Sequence, residues 1–185
     1  AIDGLLVEMK DPGELAGKVA SLVMYGDAPY GSQSGGTSES LAAITREDLI
    51  EHRQTWWHPS ETKIIVRGGI APAQATGLAQ SLFGDWTVGA PAPTPPANPA
   101  GDAQPVRTVV IDMPEAGQAA VYAAVRAIPR DDERYYALEL ANAVLGGGSS
   151  GRLFEEIRTK RLLSYGAYSG FADRADDAVL AASAQ

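Results

Sequence analysis

The chain has 185 residues, 45% of them hydrophobic, which is enough for one sizeable domain or two small ones with a packed core. The formal net charge of −8 disfavours nucleic acid and anionic membrane surfaces as partners, and no apolar run approaches the ~20 residues that span a bilayer. Cysteine is absent, which excludes disulfides, thiolate metal sites and a cysteine nucleophile but leaves the compartment, periplasmic or cytoplasmic, open.

Residues 1–88, the first part of the chain, are predicted to contain helices, a loop and one short strand. Helical spacing and start signals predict three helices, at 12–24, 46–57 and 72–83. Thr45 is well placed to cap the second of them, because it precedes a first turn rich in acidic residues. A turn-rich loop is expected at 25–36, and the β-branched run at 64–66 predicts a short buried strand.

The composition changes abruptly at residues 89–105, where six prolines exclude a regular helix or a central strand. This segment is predicted to be a semi-rigid linker to a second part, residues 106–185. Strands are predicted there at 108–111, 119–125, 164–172 and 178–183, and helices at 131–145 and 151–161. The whole pattern indicates an α+β fold.

The residues that metal-dependent or nucleophilic hydrolysis requires are missing from this sequence. Its two histidines, His52 and His58, are six residues apart at a predicted helix end and lack an adjoining His-Glu pattern, so they are interpreted as locally hydrogen-bonded or solvated side chains. No serine lies in a G-x-S-x-G elbow, and the glycines at 146–148 are interpreted as a turn between helices. No catalytic residue and no metal ligand is predicted within this chain.

The stretch LGGGSSGRLFEEIRTKRLLSY, residues 145–165, resembles the second-repeat signature of the M16 (pitrilysin/insulinase) metallopeptidases. That signature has a glycine triplet, an Arg-Leu-Phe step, an Arg-x-Lys and then a tyrosine; Gly151 stands where a serine is usual. Residues 27–31 resemble the family's His-Pro-Tyr-Gly loop with alanine replacing histidine, and residues 45–49 resemble its T-x-x-D-L helix start. Phe83-Gly84-x-Trp86 resembles the end of the first repeat.

The resemblance implies an internal piece of a longer protein, running from the back of one M16 repeat into the front of the next, inactive one. The start at Ala1 without a methionine agrees with that expectation. The implied fold is M16-like, of the LuxS/MPP type: a mixed or antiparallel sheet with helices packed on one face. Zinc is expected in the parent or a partner, on a His-x-x-Glu-His motif outside this sequence, and no cofactor is expected on this piece itself.

Arg158 and Tyr165 are seven residues apart, as is the arginine–tyrosine pair by which the second repeat of M16 relatives reaches the substrate. The resemblance therefore implies that both residues bind substrate, with the guanidinium and the phenol donating to the scissile carbonyl as it becomes an oxyanion. The residues themselves leave an alternative open. Arg158 could pair with Glu155 or Glu156 on a helix surface, and Tyr165 could be a half-buried strand aromatic.

The function implied is that of the non-catalytic, substrate-side portion of a bacterial zinc-dependent metalloendopeptidase, inactive when alone. Its expected partners are a peptide or unfolded protein substrate and a zinc-bearing M16 half or subunit, with a homodimer through exposed sheet edges also open. One alternative is a scaffold or binding subunit of a heterodimeric M16 peptidase that has no zinc motif of its own. The other is an unrelated structural α+β domain.

Overall fold

The computed structural model describes residues 1–87, 93–94, 100–174 and 176–185. In chain order, the helices and strands of these residues are α1 (Ile2–Glu8), α2 (Pro12–Tyr25), α3 (Ser38–Ala43), α4 (Arg46–Trp56), α5 (Pro72–Phe83), β1 (Val121–Ala127), α6 (Tyr135–Leu145), a π-helix (Phe154–Thr159), β2 (Ala167–Asp173) and β3 (Ala178–Ala184). Short 3₁₀ turns lie at Pro29–Gly31 and Pro59–Glu61. None of the described helices is long and apolar enough to cross a membrane.

The chain divides into two compact units. The first contains residues 1–42 and 97–185, and it includes all three described strands; the second contains residues 43–96. The predicted linker at 89–105 lies largely outside the described residues. The domain boundaries drawn around that linker therefore stay predictions.

The described strands form one antiparallel sheet with the order β1-β3-β2. Strand β3 lies in the middle and pairs along its whole length with both neighbours, so that Ala184 is opposite Val121 on one side and Ala167 on the other. The central strand is also the best buried, with Ala178 fully inaccessible to solvent. Three of the predicted strands are thus confirmed, with ends that differ by at most three residues.

Helices α2 and α6 pack on this sheet through different strand residues. Tyr122 of β1 packs against Gly17 of α2, with its ring within 3.6–4.0 Å of the position that a Cβ would occupy. Ser169 of β2 instead donates a hydrogen bond of 2.7 Å to Asn142 of α6. Tyr122 and Tyr168 both lie opposite Ser183 of β3, so their side chains share one face of the sheet. Ser169 follows Tyr168 in β2, so its side chain points to the other face. The expected α+β fold with an antiparallel sheet is confirmed. The expected packing of the helices on one face is corrected, because α2 and α6 cover opposite faces of the described sheet.

Side-chain caps lie at the starts of two of the predicted helices. The Asp11 carboxylate accepts the backbone N–H of Glu14 at 2.9 Å, with Pro12 in the first turn of α2. Thr45 and Asp48 form a reciprocal capping box at the start of α4, with distances of 3.2 and 2.7 Å. Both signals involve only neighbouring residues, so the predicted starts of these helices are confirmed.

Two predicted strands, at 64–66 and 108–111, are absent. Ile65 is 90% exposed and Val110 is 89% exposed, and neither run pairs with another described segment. A β-branched run supplies side chains that suit a strand, but the strand also needs a hydrogen-bonded neighbour from elsewhere in the chain. These two predictions were wrong because the sequence signal is local and the pairing is not.

A charged pair is built into the core of the first unit, where Tyr25, Ala100 and Val179 form the buried cluster. The Nε of Arg126 donates to the Asp177 carboxylate at 2.6 Å, and its Nη1 donates to the Gly101 carbonyl at 3.0 Å. The same guanidinium lies 5.3 Å from the centroid of the Tyr25 ring. Arg126 of β1 therefore contacts α2 through the Tyr25 ring and the start of β3 through its ion pair with Asp177.

The Tyr25 phenol makes stability depend on pH. Burial, reinforced by the negative charge of Asp177, raises the pKa of Tyr25 from 10.0 to about 12. The folded chain therefore holds this proton more tightly than the unfolded chain, so the stabilisation is complete below the unfolded pKa and is lost as the pH rises towards the folded pKa. We expect Tyr25→Phe to reduce the alkaline loss of unfolding free energy, measured by urea titration from neutral pH upwards. Tyr136→Phe, at a tyrosine that is 77% exposed, is the control and should leave that loss unchanged.

Candidate functional site

Arg158 and Tyr165 lie on either side of the turn that leads from the π-helix to β2. Arg158 is the last but one residue of the π-helix, and Tyr165 precedes the first residue of β2 by two positions. The guanidinium carbon of Arg158 is 5.6 Å from the centroid of the Tyr165 ring, which is cation–π distance. The structure thus brings the two residues together, while their role in binding substrate stays a prediction.

Both residues line one groove with a volume of about 490 Å³, which we call the Arg158–Tyr165 groove. Its other lining residues are Gln118, Ala119, Leu162, Leu163, Ser164 and Gln185. Arg158 carries the one charged side chain among these lining residues, and no carboxylate side chain belongs to the set. The Ser164 hydroxyl lies 2.6 Å from the Gly166 carbonyl and 2.5 Å from the Gln185 carbonyl, which ties the turn to the end of β3.

The alternative interpretation of these residues does not agree with the contacts. Glu156 pairs with Lys160 and with Arg161, each at 2.6 Å. The hydrogen bonds from Lys160 and then Arg161 lower the pKa of the Glu156 carboxyl. Within the described ranges, Arg158 takes part in no ion pair. Tyr165 is 85% exposed and lies outside β2, so it is not a half-buried strand residue.

The backbone of the turn after the π-helix is wide and strained. The N–H of Lys160 donates to the Glu155 carbonyl at 2.9 Å, the spacing of a π-helix, a form that is rare and often found at functional sites. The N–H of Leu163 then reaches back to the Ile157 carbonyl at 3.1 Å. Between them, Leu162 has a φ of 55°, the one positive value at a non-glycine residue in the described part of the chain. A helix end of this kind normally has glycine there, because a Cβ is disfavoured.

We expect Leu162→Gly to increase the free energy of unfolding by about 0.5–1 kcal/mol. Glycine relieves a strain of about 1–3 kcal/mol at positive φ. Part of this gain is lost, because glycine also increases the conformational entropy of the unfolded chain. Little packing is lost, because the Leu162 side chain is 73% exposed. Leu163→Gly is a matched control: Leu163 is 74% exposed but does not have a positive φ, so that variant should lose stability. Equal changes in the two variants, measured by chemical denaturation, would contradict the strain argument.

The two histidines lie in the second unit and do not form a metal site. His58 is only 3% exposed, and its Nε2 is 2.9 Å from the Thr55 carbonyl. The ring of His52 lies 6.4 Å from that of Trp56. In the described ranges, no three His, Cys, Asp or Glu side chains are grouped so that they could hold a metal ion. The side chains present do not fit zinc, and no reaction step is assigned to a metal on this chain.

Comparison with known proteins identifies the family. Residues 43–185, which include the Arg158–Tyr165 pair, match the family model described as the peptidase M16 inactive domain. The chain belongs to peptidase family M16. It is similar to an uncharacterized zinc protease of Mycobacterium leprae, with 31% identity over 92% of this chain and 38% of the relative. A second relative, an uncharacterized zinc protease of Streptomyces coelicolor, is 30% identical over 88% of this chain and 37% of its own length.

Solved structures share the M16 fold. The peptidase M16 inactive domain from Pseudomonas fluorescens aligns with a TM-score of 0.72 and 26% identity, covering 100% of this chain and 44% of that one. A protease from Helicobacter pylori also aligns with a TM-score of 0.72, over 84% of this chain and 38% of that one; at 20% identity it supports the fold alone. The predicted family is confirmed. The chain spans about two-fifths of the length of the curated relatives it matches, so what the whole protein does is a matter of proposal.

The sequence did not point to most of the residues that line the groove. Leu162 and Leu163 adjoin the M16 signature tyrosine, but adjacent leucines ordinarily indicate a core position, and both are exposed here. Gln118 and Gln185 reach the groove only because β1 pairs with β3. Residues that are brought together by strand pairing cannot be identified from the local sequence.

Proposed function

We propose that this M16 chain is the substrate-side, non-catalytic portion of a zinc-dependent metalloendopeptidase. Arg158 and Tyr165 would complete an active site whose zinc motif lies outside the chain. The single observation that carries the proposal is the cation–π contact of this pair, with the Arg158 guanidinium carbon 5.6 Å from the Tyr165 ring centroid, in a groove with no other charged lining side chain. The relatives described as zinc proteases support metal-dependent peptide hydrolysis as the reaction class.

The contribution of the pair is electrostatic. A scissile carbonyl oxygen gains negative charge when the peptide bond is attacked, and donors already aimed at that oxygen stabilise the charged state more than the bound peptide. A guanidinium has five N–H donors, and Arg158 takes part in no ion pair among the described residues, so donors are available to a ligand. The phenol supplies one further O–H donor. Two such donors in one groove suit an oxyanion better than a neutral ligand.

The substrate class that follows is a peptide or an unfolded protein, bound mainly through its main chain. Strands β1 and β2 are the outer strands of the described sheet, so each has one edge that no described strand pairs with. An extended peptide can add to such an edge, and the resulting main-chain hydrogen bonds are tolerant of side-chain identity. The partner proposed is a zinc-bearing M16 half or subunit. The same free edges allow a homodimer, which peptide binding would compete with.

A second candidate is a scaffold or binding subunit of a heterodimeric M16 peptidase that has no zinc motif of its own. The observation in its favour is that the matching family model is described as an inactive domain. In this role the chain would hold the active partner or the peptide without contributing donors to the reaction. Dependence of the rate on Arg158 separates the two candidates.

The test is a complementation experiment. The chain is mixed with the zinc-bearing half of an M16 peptidase, and cleavage of an internally quenched peptide is followed as the chain is titrated. We expect the zinc-bearing half to gain activity in a saturable way, and a zinc chelator to abolish that activity. The chain alone should cleave nothing. Chelator-resistant cleavage by the chain alone, or no gain on mixing, would count against the proposal.

A further inference from the structure

We infer that Leu162 and Leu163 form an apolar subsite that selects a large aliphatic or aromatic side chain next to the peptide bond held at Arg158 and Tyr165. This rests on the proposed function, because it specifies what the same groove selects. Both leucines line the groove with the Arg158–Tyr165 pair, and they are 73% and 74% exposed. They therefore present apolar surface to whatever occupies the groove.

Packing among the described residues does not explain a leucine at position 162. Its φ of 55° is a conformation that suits glycine, and its exposed side chain gains little from packing within the chain. A strained residue kept at a groove is typical of ligand sites, where the strain fixes a side chain in a required position. Contact with a ligand supplies the missing stabilisation, because an apolar group covering this side chain would remove it from water.

The other lining residues indicate which side chain would be accepted. The groove has a volume of about 490 Å³, within the usual range of ligand sites, and its polar lining is neutral apart from Arg158. A lysine next to the bond would lie near that guanidinium with no lining carboxylate to balance the charges. A large apolar side chain would instead cover the two leucines. The rival ligand is an acidic side chain, which Arg158 could pair with directly.

The experiment measures the affinity of the chain for four extended peptides that differ at one position, occupied by Leu, Ala, Lys or Asp. Dissociation constants are obtained by NMR titration, following the methyl signals of Leu162 and Leu163. We expect the Leu peptide to bind about tenfold more tightly than the Ala peptide, the usual discrimination of an apolar pocket. The Lys peptide should bind most weakly. Shifts of both methyl signals should accompany binding of the Leu peptide.

The variants separate selection from folding. Leu162→Gly should lower the Leu-to-Ala ratio to about threefold, since one of two apolar contacts is removed while backbone strain is relieved. A loss of selectivity in a chain that is at least as stable cannot be attributed to unfolding. Leu163→Ala should reduce the ratio similarly. Leu140→Ala, which changes a leucine of α6 that is 70% exposed and outside the groove lining, should leave it unchanged.

Three results would overturn the subsite: equal binding of the Leu and Ala peptides, an unchanged ratio in Leu162→Gly, or tightest binding of the Asp peptide. If binding is still weakened by Arg158→Ala in those cases, the proposed function stands and only the subsite is lost. If no peptide binds in a way that Arg158→Ala alters, both the subsite and the proposed function fail. The two failures are therefore distinguishable in one set of titrations.

Discussion

Replacing Arg158 with alanine is expected to lower kcat of the assembled peptidase about 100-fold to 1,000-fold. That is the usual effect of removing one donor that acts on a developing oxyanion. KM should change much less, because the interaction strengthens only as negative charge forms in the transition state. The measurement is steady-state cleavage of a quenched peptide by the complex, with the concentration of the variant chain raised until the rate is saturated. Saturation excludes weaker assembly as the cause of the loss.

Arg161→Ala is the matched control for this prediction. Arg161 lies three residues further on, its guanidinium is bound to Glu156 at 2.6 Å, and it does not line the groove. Its replacement should leave kcat near the wild-type value. Arg158→Lys keeps the charge but loses the forked donor geometry, so we expect an intermediate rate. A kcat of Arg158→Ala within a factor of about two of wild type would favour the scaffold role over transition-state stabilisation.

Tyr165→Phe tests the second donor of the pair. Phenylalanine keeps a ring for the cation–π contact but removes the O–H, so the position of Arg158 should persist while one hydrogen bond is lost. We expect a smaller fall in kcat than for Arg158→Ala, since the neutral donor stabilises an oxyanion less than the charged one. A larger fall for Tyr165→Phe would mean that the phenol, and not the guanidinium, is the principal donor.

Local sequence signals determined how much of the fold could be predicted. Thr45 caps α4 through a backbone group three residues away, so the start of that helix could be predicted from neighbouring residues. The apolar runs at 64–66 and 108–111 have the composition of strands, but the sequence does not show that no described segment pairs with them. A π-helix, Phe154–Thr159, lies within the helix predicted at 151–161. Its π geometry could not be predicted, because one wider turn barely changes the spacing of the hydrophobic residues.

The candidate site was predictable only in part. The Arg158–Tyr165 pair came from a resemblance to the M16 signature, since an arginine and a tyrosine seven residues apart are otherwise unremarkable. Their contact follows from the turn after the π-helix, which brings the two residues towards each other. Leu162 could not have been placed at a positive φ, because its residue type argues against that conformation. Positions that break a local rule are often functional, which is why this leucine carries the further inference.

Replacing Arg126 with methionine is expected to lower the free energy of unfolding by about 3 kcal/mol. The Asp177 side chain is 6% exposed, and its ion pair is the 2.6 Å contact with Arg126. Removing one partner of a buried pair leaves the other charge without compensation, which destabilises more than the pair itself stabilises. Methionine retains most of the aliphatic volume, so the loss reflects charge and hydrogen bonding. Urea denaturation at neutral pH measures it.

Arg130→Met provides the comparison at the surface of the same unit. Arg130 is 72% exposed and lies 3.5 Å from Asp173, so its pair is solvated and its loss should cost less than about 1 kcal/mol. The double variant Arg126→Met with Asp177→Leu removes both buried charges and should recover most of the lost stability. If Arg126→Met costs no more than Arg130→Met, the buried pair is not a major support of the core. If the double variant is worse than the single one, packing around Asp177 matters more than its charge.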